Sequence, residues 1–415
     1  MSNKIEKDKT PKRILMVGQS GLEKSKYLEE LQTILERQGY SLSFDTIGHK
    51  MIEIYNNRYG RSITEDTILN LERDSLELLE RQAWREIIES MDSINTDFYV
   101  INTHVVFRWD HGLIPVIDVD LLLEYKPEII VCLIDDIINI WHNLLKRGIY
   151  KFNLWELFVW REEEIWFGKF MSDFLRKFGI NTSFYILPKR QGATLFSQIL
   201  LTPNLPKAYL SFPITGVSES VKEEIKRFKE AIASTIIAFD PFSVRDREIT
   251  FLYYSQEEKI KEKLKEKIDL LSKNAEMVRG DFWEIYIDDD TALTLIKFKN
   301  LDRIGFPEVE LLGREHLMTI RAIDAQIIAR DYLLIDQSDF IVVYIRTDEE
   351  GSPRISAGCQ SEITYAYKHR KEVNVIFKGG ERRLSPWITQ FSNVFETIDD
   401  CLEYIQERYI QRGRR

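Results

Sequence analysis

A short segment near the amino terminus has the residue types of a phosphate-binding loop. The sequence "GQSGLEKS" supplies Gly18, Gly21, Lys24 and Ser25 between a short apolar run and a helical pattern. A glycine-rich turn between a strand and a helix presents backbone N–H groups to phosphates, while lysine reaches the outer phosphates and a hydroxyl reaches magnesium. The spacing predicts a site for ATP or another nucleotide with Mg²⁺. However, Glu23 stands where such a loop carries glycine before its lysine.

The surrounding half of the chain, about residues 12 to 200, resembles the archaeal-type adenylate kinases. "LNLERDSLELLERQ" matches an Arg-Asp pair on a helix followed by a glutamine, here Arg73, Asp74 and Gln82. "VINTHVVFRWDHGLIPVI" is similar to the family's Asp-Thr-His stretch and glycine-proline segment, and "YKPEIIVCLIDD" looks like the next strand. The resemblance implies a P-loop nucleotide kinase fold.

Three departures from that family predict poor kinase chemistry. The Glu23 carboxylate would face a polyanion unless it turned outward, and unit charges about 4 Å apart repel by about 4 kcal/mol at an effective dielectric of about 20. Asn102 stands where the family's acid supports magnesium, and the lid segment "NLLKRGIYKFNLWELFVW" holds one arginine, Arg147, where such kinases carry several. This half is therefore predicted to be a degenerate kinase that binds or senses a nucleotide, or serves only as a scaffold.

The second half of the chain carries carboxylates and hydroxyls beside predicted strand ends. "AYLSFPITG" ends a strand in a turn, "IIARDYLLIDQSDFIVVYI" runs into a buried strand, and "SAGCQSEITYAY" opens a helix after a loop. Ligands of open α/β sheets bind in the crevice outside the carboxyl ends of the strands. The candidate side chains and turn glycines are Tyr209, Ser211, Gly216, Asp331, Asp336, Asp339, Gly358, Ser361 and Glu362.

These segments, over about residues 207 to 400, resemble the nucleoside 2-deoxyribosyltransferase superfamily, which includes the deoxynucleotide N-glycosidases. The family shows a Tyr-bearing first strand and turn, then an Arg-Asp pair with a second aspartate ahead of a strand, then a Gly-x-x-x-Glu loop and helix. The matching residues here are Tyr209 to Gly216, Arg330-Asp331, Asp339 to Val343, Gly358, Glu362, Ile363 and Ala366.

The resemblance implies that Glu362 is a nucleophile, that Asp331 is its orienting or acid partner, and that Tyr209 holds the Glu362 carboxylate. An N-glycosidic bond breaks through a cation-like sugar, so one carboxylate can trap the anomeric carbon while a second acid protonates the leaving base. No metal or cofactor is required there. The predicted substrate-binding residues, of which the last three are candidates for a 5′-phosphate, are Ser211, Gly216, Asp339, Ser356, Gly358 and Ser361.

Other interpretations of these residues remain open on the sequence alone. Glu362 is also consistent with a surface acid near a helix start, where the helix dipole favours it. Asp339 before a strand is consistent with a cap or turn residue, and Tyr209 with simple packing in a strand.

Strand and helix patterns alternate in both halves, which is typical of parallel sheets covered by helices. Strand-like runs occur at residues 13–18, 98–103, 128–134, 183–187, 208–213, 340–345 and 373–377. Amphipathic or helical stretches occur at 64–92, 219–235, 361–371 and 398–411.

The predicted fold class is α/β with two domains. Residues 1–203 form a P-loop NTPase-like domain with a parallel sheet, and residues 204–415 form a smaller flavodoxin-like α/β sandwich with a charged insertion at about 246–310. Pro203 and Pro206 mark the boundary because proline ends the preceding helical pattern.

Composition narrows the function classes. The chain has 415 residues and a net charge of −10, which argues against a nucleic-acid-binding surface. No apolar run approaches the roughly 18 residues that span a bilayer, and no secretory signal pattern opens the chain. The three cysteines form no metal or disulfide pattern. A cytoplasmic protein that does not engage membranes is predicted.

The leading hypothesis is a nucleoside or nucleotide N-glycosidase, or deoxyribosyltransferase, with an amino-terminal nucleotide-binding module. Its substrates would be small nucleosides or nucleotides, and the second resemblance implies a homo-oligomer. The alternatives are an NAD-type glycohydrolase gated by a nucleotide, an active nucleoside monophosphate kinase, and a sensor in which both sites only bind.

Overall fold

The protein was analysed as a computed structural model. The residues it describes are 10–60, 62–109, 112–149, 152–213, 218–247, 285–286, 294–295, 322–348 and 350–411. Gly216 and nearly all of the predicted insertion at 246–310 lie outside these described residues.

The first half of the chain contains a five-stranded sheet in which every neighbouring pair is parallel. Its strands are β1 (Lys12–Val17), β2 (Leu42–Thr46), β3 (Phe98–Asn102), β6 (Ile129–Ile134) and β7 (Ser183–Pro188). They lie in the order β2-β3-β1-β6-β7. A separate antiparallel pair, β4 (Val106–Trp109) and β5 (Gly112–Pro115), follows β3.

Helices connect these strands, as the alternating pattern predicts. They are α1 (Lys24–Glu36), α2 (Ile47–Tyr59), α3 (Glu65–Ile68), α4 (Arg73–Ser90), α5 (Val119–Tyr125), α6 (Ile137–Lys146), α7 (Leu154–Lys177) and α8 (Gly192–Leu201). The amphipathic stretch at 64–92 is not one helix, because residues 69–72 separate α3 from α4.

The second half contains a six-stranded sheet. Its strands are β8 (Lys207–Ser211), β9 (Ile237–Phe239), β12 (Phe340–Thr347), β13 (Pro353–Arg354), β14 (Glu372–Phe377) and β15 (Asn393–Phe395). The order is β15-β14-β12-β8-β9 with parallel pairing, and β13 pairs antiparallel with β12. Two short strands, β10 (Ile285–Tyr286) and β11 (Thr294–Leu295), pair with each other in antiparallel orientation.

The helices of this half are α9 (Glu219–Ala233), α10 (residues 322–336), α11 (Ala357–Lys368), α12 (Pro386–Thr389) and α13 (Ile398–Ile405), and a π-helical turn follows at Gln406–Gln411. Helix α11 begins earlier than the predicted 361 because the Ser356 side chain accepts a hydrogen bond from the Cys359 N–H and caps the helix there.

The central strands are buried along their whole apolar runs. Ile14 to Val17 in β1 and Phe340 to Val343 in β12 have no exposed surface. A parallel strand covered on both faces reads as a continuous apolar run rather than an alternating one. The α/β class with parallel sheets, predicted from these runs, is confirmed.

The chain divides into two compact units. One comprises residues 1–135, 160–244 and 329–415 and contains both large sheets; the other comprises 136–159 and 245–328. The boundary predicted at 203–204 lies between α8 and β8 and stays a prediction. In the part of the chain that the structure describes, no helix is long and apolar enough to cross a membrane.

Candidate functional site

The Glu362 carboxylate is held by two hydroxyls from one strand. Tyr209 donates its phenol hydrogen to Oε1 over 3.0 Å, and Ser211 donates its hydroxyl hydrogen to Oε2 over 2.5 Å. Tyr209 and Ser211 are two residues apart in β8 and therefore point to the same face of the sheet. Each carboxylate oxygen thus has its own donor, which fixes the plane of the carboxylate.

Glu362 lies in the second turn of α11, beyond the capped first turn. The residue is only partly exposed, unlike its neighbour Ser361, which is exposed. A surface acid placed only by the helix dipole would need neither hydroxyl, so this geometry differs from that alternative. Tyr209 is fully buried, so the same side chain packs in the core and donates a hydrogen bond to Glu362.

Asp331 lies on α10 and is anchored by its own neighbour. The Arg330 guanidinium donates from Nε (3.1 Å) and Nη2 (2.9 Å) to Asp331 Oδ1. Arg330 also donates to the carbonyl oxygens of Val244 and Pro241, each over 3.1 Å, so it ties α10 to the segment after β9. Among the described residues, Asp331 Oδ2 receives no hydrogen bond. One oxygen is therefore fixed and the other is available to a ligand.

Both carboxyl groups have a raised pKa, and the charge of Asp331 contributes to the shift of Glu362. Burial, followed by the negative charge of Asp331, raises the pKa of Glu362 to about 7 and outweighs the opposing hydrogen bonds from Ser211 and Tyr209. Burial raises the pKa of Asp331 as well, against the lowering effect of the Arg330 charge. Near neutral pH, Glu362 is therefore divided between its ionised and protonated forms, a property common to catalytic carboxylates.

Three other predicted substrate-binding residues, Ser356, Gly358 and Ser361, lie at the start of α11. Ser356 serves as the cap of α11, and the Ser361 hydroxyl lies 2.6 Å from the Tyr332 hydroxyl. Gly358 has open space beside it: an added Cβ would meet only Ser356 Oγ, at 3.7 Å. These residues line the exposed start of α11, where a phosphate could approach.

Asp339 is placed at the opposite end of the strands. Its Oδ2 accepts the Lys207 N–H over 2.8 Å, and its own N–H donates to the Lys207 carbonyl over 2.7 Å. It therefore lies immediately before β12, beside the first residue of β8, whereas Ser211 ends β8. The structure supports the turn interpretation of Asp339 and does not bring it to Glu362.

The predicted phosphate loop has the backbone that its glycines require. Gly18 has a φ of +138° and Gly21 of +86°. A Cβ on Gly18 would lie 2.6 Å from the Leu133 carbonyl oxygen, so only glycine fits there. Lys24 Nζ donates to the Gly18 carbonyl over 2.5 Å, across the inside of the loop.

Glu23 keeps the left-handed backbone expected of the glycine it replaces. Its φ is +54° and its ψ is +46°. Its carboxylate turns to Lys189, with Oε2 2.9 Å from Nζ, and remains 43% exposed. The outward rotation that the sequence required for nucleotide binding is therefore present.

Ser25, the predicted magnesium-binding hydroxyl of the loop, is hydrogen-bonded to Asn102. Asn102 Nδ2 donates to Ser25 Oγ over 3.4 Å and to Thr46 Oγ1 over 3.1 Å. Asn102 Oδ1 is buried and has no hydrogen-bond partner among the described residues. An orphaned buried acceptor beside a hydroxyl fits a hydrated cation.

Sequence reasoning missed two supports of these sites. Glu164 of α7, which is buried, accepts the N–H of Gly18 (3.1 Å) and that of Val105 (3.0 Å), and it lies 3.1 Å from His104 Nδ1. The sequence motif includes Arg330, but it does not indicate that Arg330 anchors Asp331. No local signal separates Glu164 from the acids beside it, because its role depends on which face of α7 meets the sheet.

Comparison with known proteins adds no relative: no protein-family model matches the chain, and no curated protein matches its sequence.

Proposed function

We propose that the second half of the chain is an N-glycosidase or deoxyribosyltransferase acting on nucleosides or nucleotides. The observation that carries this proposal is the Glu362 carboxylate, oriented by Tyr209 and Ser211 and raised in pKa beside Asp331. Cleavage of a glycosidic bond calls for two carboxylates in different environments.

The proposed reaction has two steps. The ionised Glu362 carboxylate attacks the anomeric carbon as its bond to the base breaks, the bonding electrons leave with the base nitrogen, and an acid protonates that nitrogen. In hydrolysis, water then displaces Glu362 from the sugar and gives a proton to the acid that was deprotonated in the first step; in transfer, a second base displaces Glu362 and gives up its proton in the same way. Asp331 would orient the sugar or, once protonated, donate that proton from Oδ2, which receives no hydrogen bond among the described residues.

Finer assignments of the fold form part of the same proposal. We assign the first sheet to the P-loop NTPase-like class and the second to the flavodoxin-like class. The loop between β1 and α1 supports the first assignment, and the parallel order of the second sheet supports the other. The first module would bind ATP or another nucleotide, with Ser25 and Asn102 holding Mg²⁺, which would neutralise phosphate charge.

The test measures the free base released from a panel of substrates, which is separated and quantified by chromatography. Purified protein is incubated with nucleosides, nucleoside and deoxynucleoside monophosphates and NAD, each with and without ATP and Mg²⁺. Glu362→Ala is the test variant. Glu219→Ala is the control, because the Glu219 side chain is 87% exposed at the start of α9.

Base released by wild type and by Glu219→Ala but not by Glu362→Ala would support the proposal. Release from NAD alone would select the glycohydrolase alternative. Absence of release from every substrate would reject the enzyme assignment and leave the sensor alternative. Phosphate transfer that needs Mg²⁺ and is lost in Lys24→Ala would identify the kinase alternative instead.

A further inference from the structure

Helix α7 has two apolar faces, of which only one is covered by the described protein. Its inner face includes Ile165, Ser172 and Leu175, which are buried. Gly168 lies on the same face, and a Cβ there would approach the Phe184 ring of β7 to 3.0 Å. This face therefore packs tightly on the first sheet, and close packing explains the glycine.

Large aromatic side chains recur at every fourth position along the outer face, three on α7 and the fourth, Phe178, immediately after the helix ends at Lys177. Trp166, Phe170 and Phe178 are 48%, 64% and 60% exposed, and Phe174 lies between the last two. The Phe170 and Phe174 ring centroids are 6.5 Å apart, and those of Phe174 and Phe178 are 4.7 Å apart. We call these four residues the aromatic stripe. A contiguous exposed apolar patch of this kind marks an interaction surface.

We propose that the aromatic stripe is the contact surface of a homodimer in which two copies of α7 pack antiparallel. Because the four aromatic residues are evenly spaced, their spacing is the same in both directions along the stripe. A two-fold axis at its centre would set Trp166 against the partner's Phe178 and Phe170 against the partner's Phe174. An isologous interface requires this self-complementarity, whereas an unrelated partner does not.

The charges beside the stripe favour the same arrangement. Glu162 lies one turn before Trp166 and accepts its indole N–H over 3.0 Å, and Lys177 lies immediately before Phe178. Arg176 pairs with Asp173 of the same helix. Antiparallel packing brings the acidic end of one helix toward the basic end of the other, and it opposes their dipoles. A lipid surface fits less well, because Asp173 lies within the stripe's span and the chain carries a net charge of −10.

The area sets the expected strength. Four aromatic side chains of about 200 Å² each, roughly half exposed, offer about 400 Å² per copy. A standard stable interface buries about 800 Å² per partner, so the stripe alone offers about half of that area and supports a weak dimer. The dimer should therefore dissociate on dilution.

The experiment is sedimentation velocity of the full chain from about 1 to about 100 μM, a range chosen to bracket a micromolar dissociation constant. Wild type is compared with Phe170→Glu and with the double variant Phe170→Glu/Phe174→Glu. Trp387→Glu is the control, because Trp387 is 73% exposed and lies outside the stripe. Circular dichroism and thermal unfolding establish that each variant is folded; Phe170→Glu, at the most exposed position, covers the case in which the double variant is not.

We expect wild type and Trp387→Glu to shift from monomer to dimer across this range, and Phe170→Glu to stay monomeric with an unchanged melting temperature. Wild type that is monomeric throughout would overturn the proposal. So would a folded Phe170→Glu variant that dimerises like wild type. Neither result depends on catalysis, so the proposed glycosidase function is tested separately.

Discussion

At the scale of single residues, the chemistry of Glu362 depends on competing contacts. The Tyr209 and Ser211 hydroxyls favour the ionised carboxylate, while burial and the Asp331 charge favour the protonated one, and the second pair prevails. A carboxyl group with a pKa of about 7 is a stronger base than an ordinary glutamate and is still ionised in about half of the molecules at pH 7.

This balance predicts the pH dependence of base release. A nucleophile must be ionised, so kcat/KM should rise as the pH passes through about 7. Asp331→Asn removes the neighbouring negative charge and should move that rise to lower pH, even if the maximum rate falls. The measurement is kcat/KM against pH for both proteins. A rise at the same pH in both would show that Asp331 does not act on Glu362 electrostatically.

The same shift predicts an effect on stability. The folded pKa of Glu362, about 7, exceeds the ordinary 4.5, so the native state binds this proton more tightly than the unfolded chain does. The resulting stabilisation is present at low pH and is lost as the pH rises through about 7. A shift of this size corresponds to at most roughly 3 kcal/mol.

Glu362→Gln should therefore be more stable than wild type at about pH 8, and the difference should shrink toward about pH 5. Thermal or urea unfolding at both pH values measures this. Glu219→Gln, on an exposed side chain, should show no such pH-dependent difference. A Glu362→Gln variant that is destabilised equally at both pH values would contradict the assigned burial.

At the scale of elements, the turn from β1 into α1 keeps its shape despite an unfavourable residue. A non-glycine residue in the left-handed region costs roughly 1 to 2 kcal/mol, and Glu23 adopts it at a φ of +54°. The Lys189 ion pair draws the carboxylate outward, but a charge 43% exposed contributes little to stability. The loop backbone is thus fixed by its packing, above all at Gly18.

Glu23→Gly should tighten binding of ATP with Mg²⁺ because it removes a negative charge near the phosphates, and it should also stabilise the fold because it removes the backbone strain. Glu23→Ala separates the two effects, since it removes the charge and keeps the strained backbone; it should bind more tightly than wild type and unfold more easily than Glu23→Gly. Isothermal titration calorimetry and thermal unfolding give the comparison. Equal affinity in all three proteins would show that Glu23 does not oppose a nucleotide.

At the scale of the whole molecule, side-chain amides join the two large sheets within one compact unit. Gln337 brackets the backbone of Ile186, with Oε1 2.9 Å from its N and Nε2 3.1 Å from its O. Gln191 donates to the Ala238 carbonyl over 3.0 Å and accepts the Asp240 N–H over 3.2 Å. Each glutamine side chain thereby provides hydrogen-bond partners for backbone groups in the other half of the chain.

The Gln191 contact lies between the two candidate sites. Lys189, two residues earlier, pairs with Glu23 in the phosphate loop. On the other side, the charge of Asp240 raises the pKa of Asp331, and the next residue, Pro241, accepts a hydrogen bond from Arg330. Contacts between Glu23 and Asp331 are therefore continuous through the segments 189–191 and 238–241.

Gln191→Ala should reduce any effect of ATP on base release while leaving the rate without ATP nearly unchanged. Gln337→Ala is the matched control, because it removes the same side chain from the other junction between the sheets and does not contact the phosphate loop. The measurement is the ratio of rates with and without ATP. An equal loss of that ratio in both variants would indicate a general loosening rather than this route.

The α/β class and the positions of the main strands could be predicted from the sequence alone, because buried parallel strands need continuous apolar runs. "EIIVCLI" and "FIVVYI" are such runs. The sequence also singled out Gly18, Lys24, Asp331 and Glu362. The residue types that carry such chemistry are few, and they recur at fixed spacing within one turn or loop.

Which side chains contact each other depends on the tertiary fold and could not be predicted from the sequence. Ser211, predicted to bind substrate, donates a hydrogen bond to Glu362 across a separation of 151 residues. Asp339 lies at the far end of the same strands, and the Glu23 carboxylate forms an ion pair with Lys189. Such pairings depend on strand register and on which helix face meets the sheet. A shift of one residue in register would send Tyr209 and Ser211 to the opposite face, and no local pattern fixes that choice.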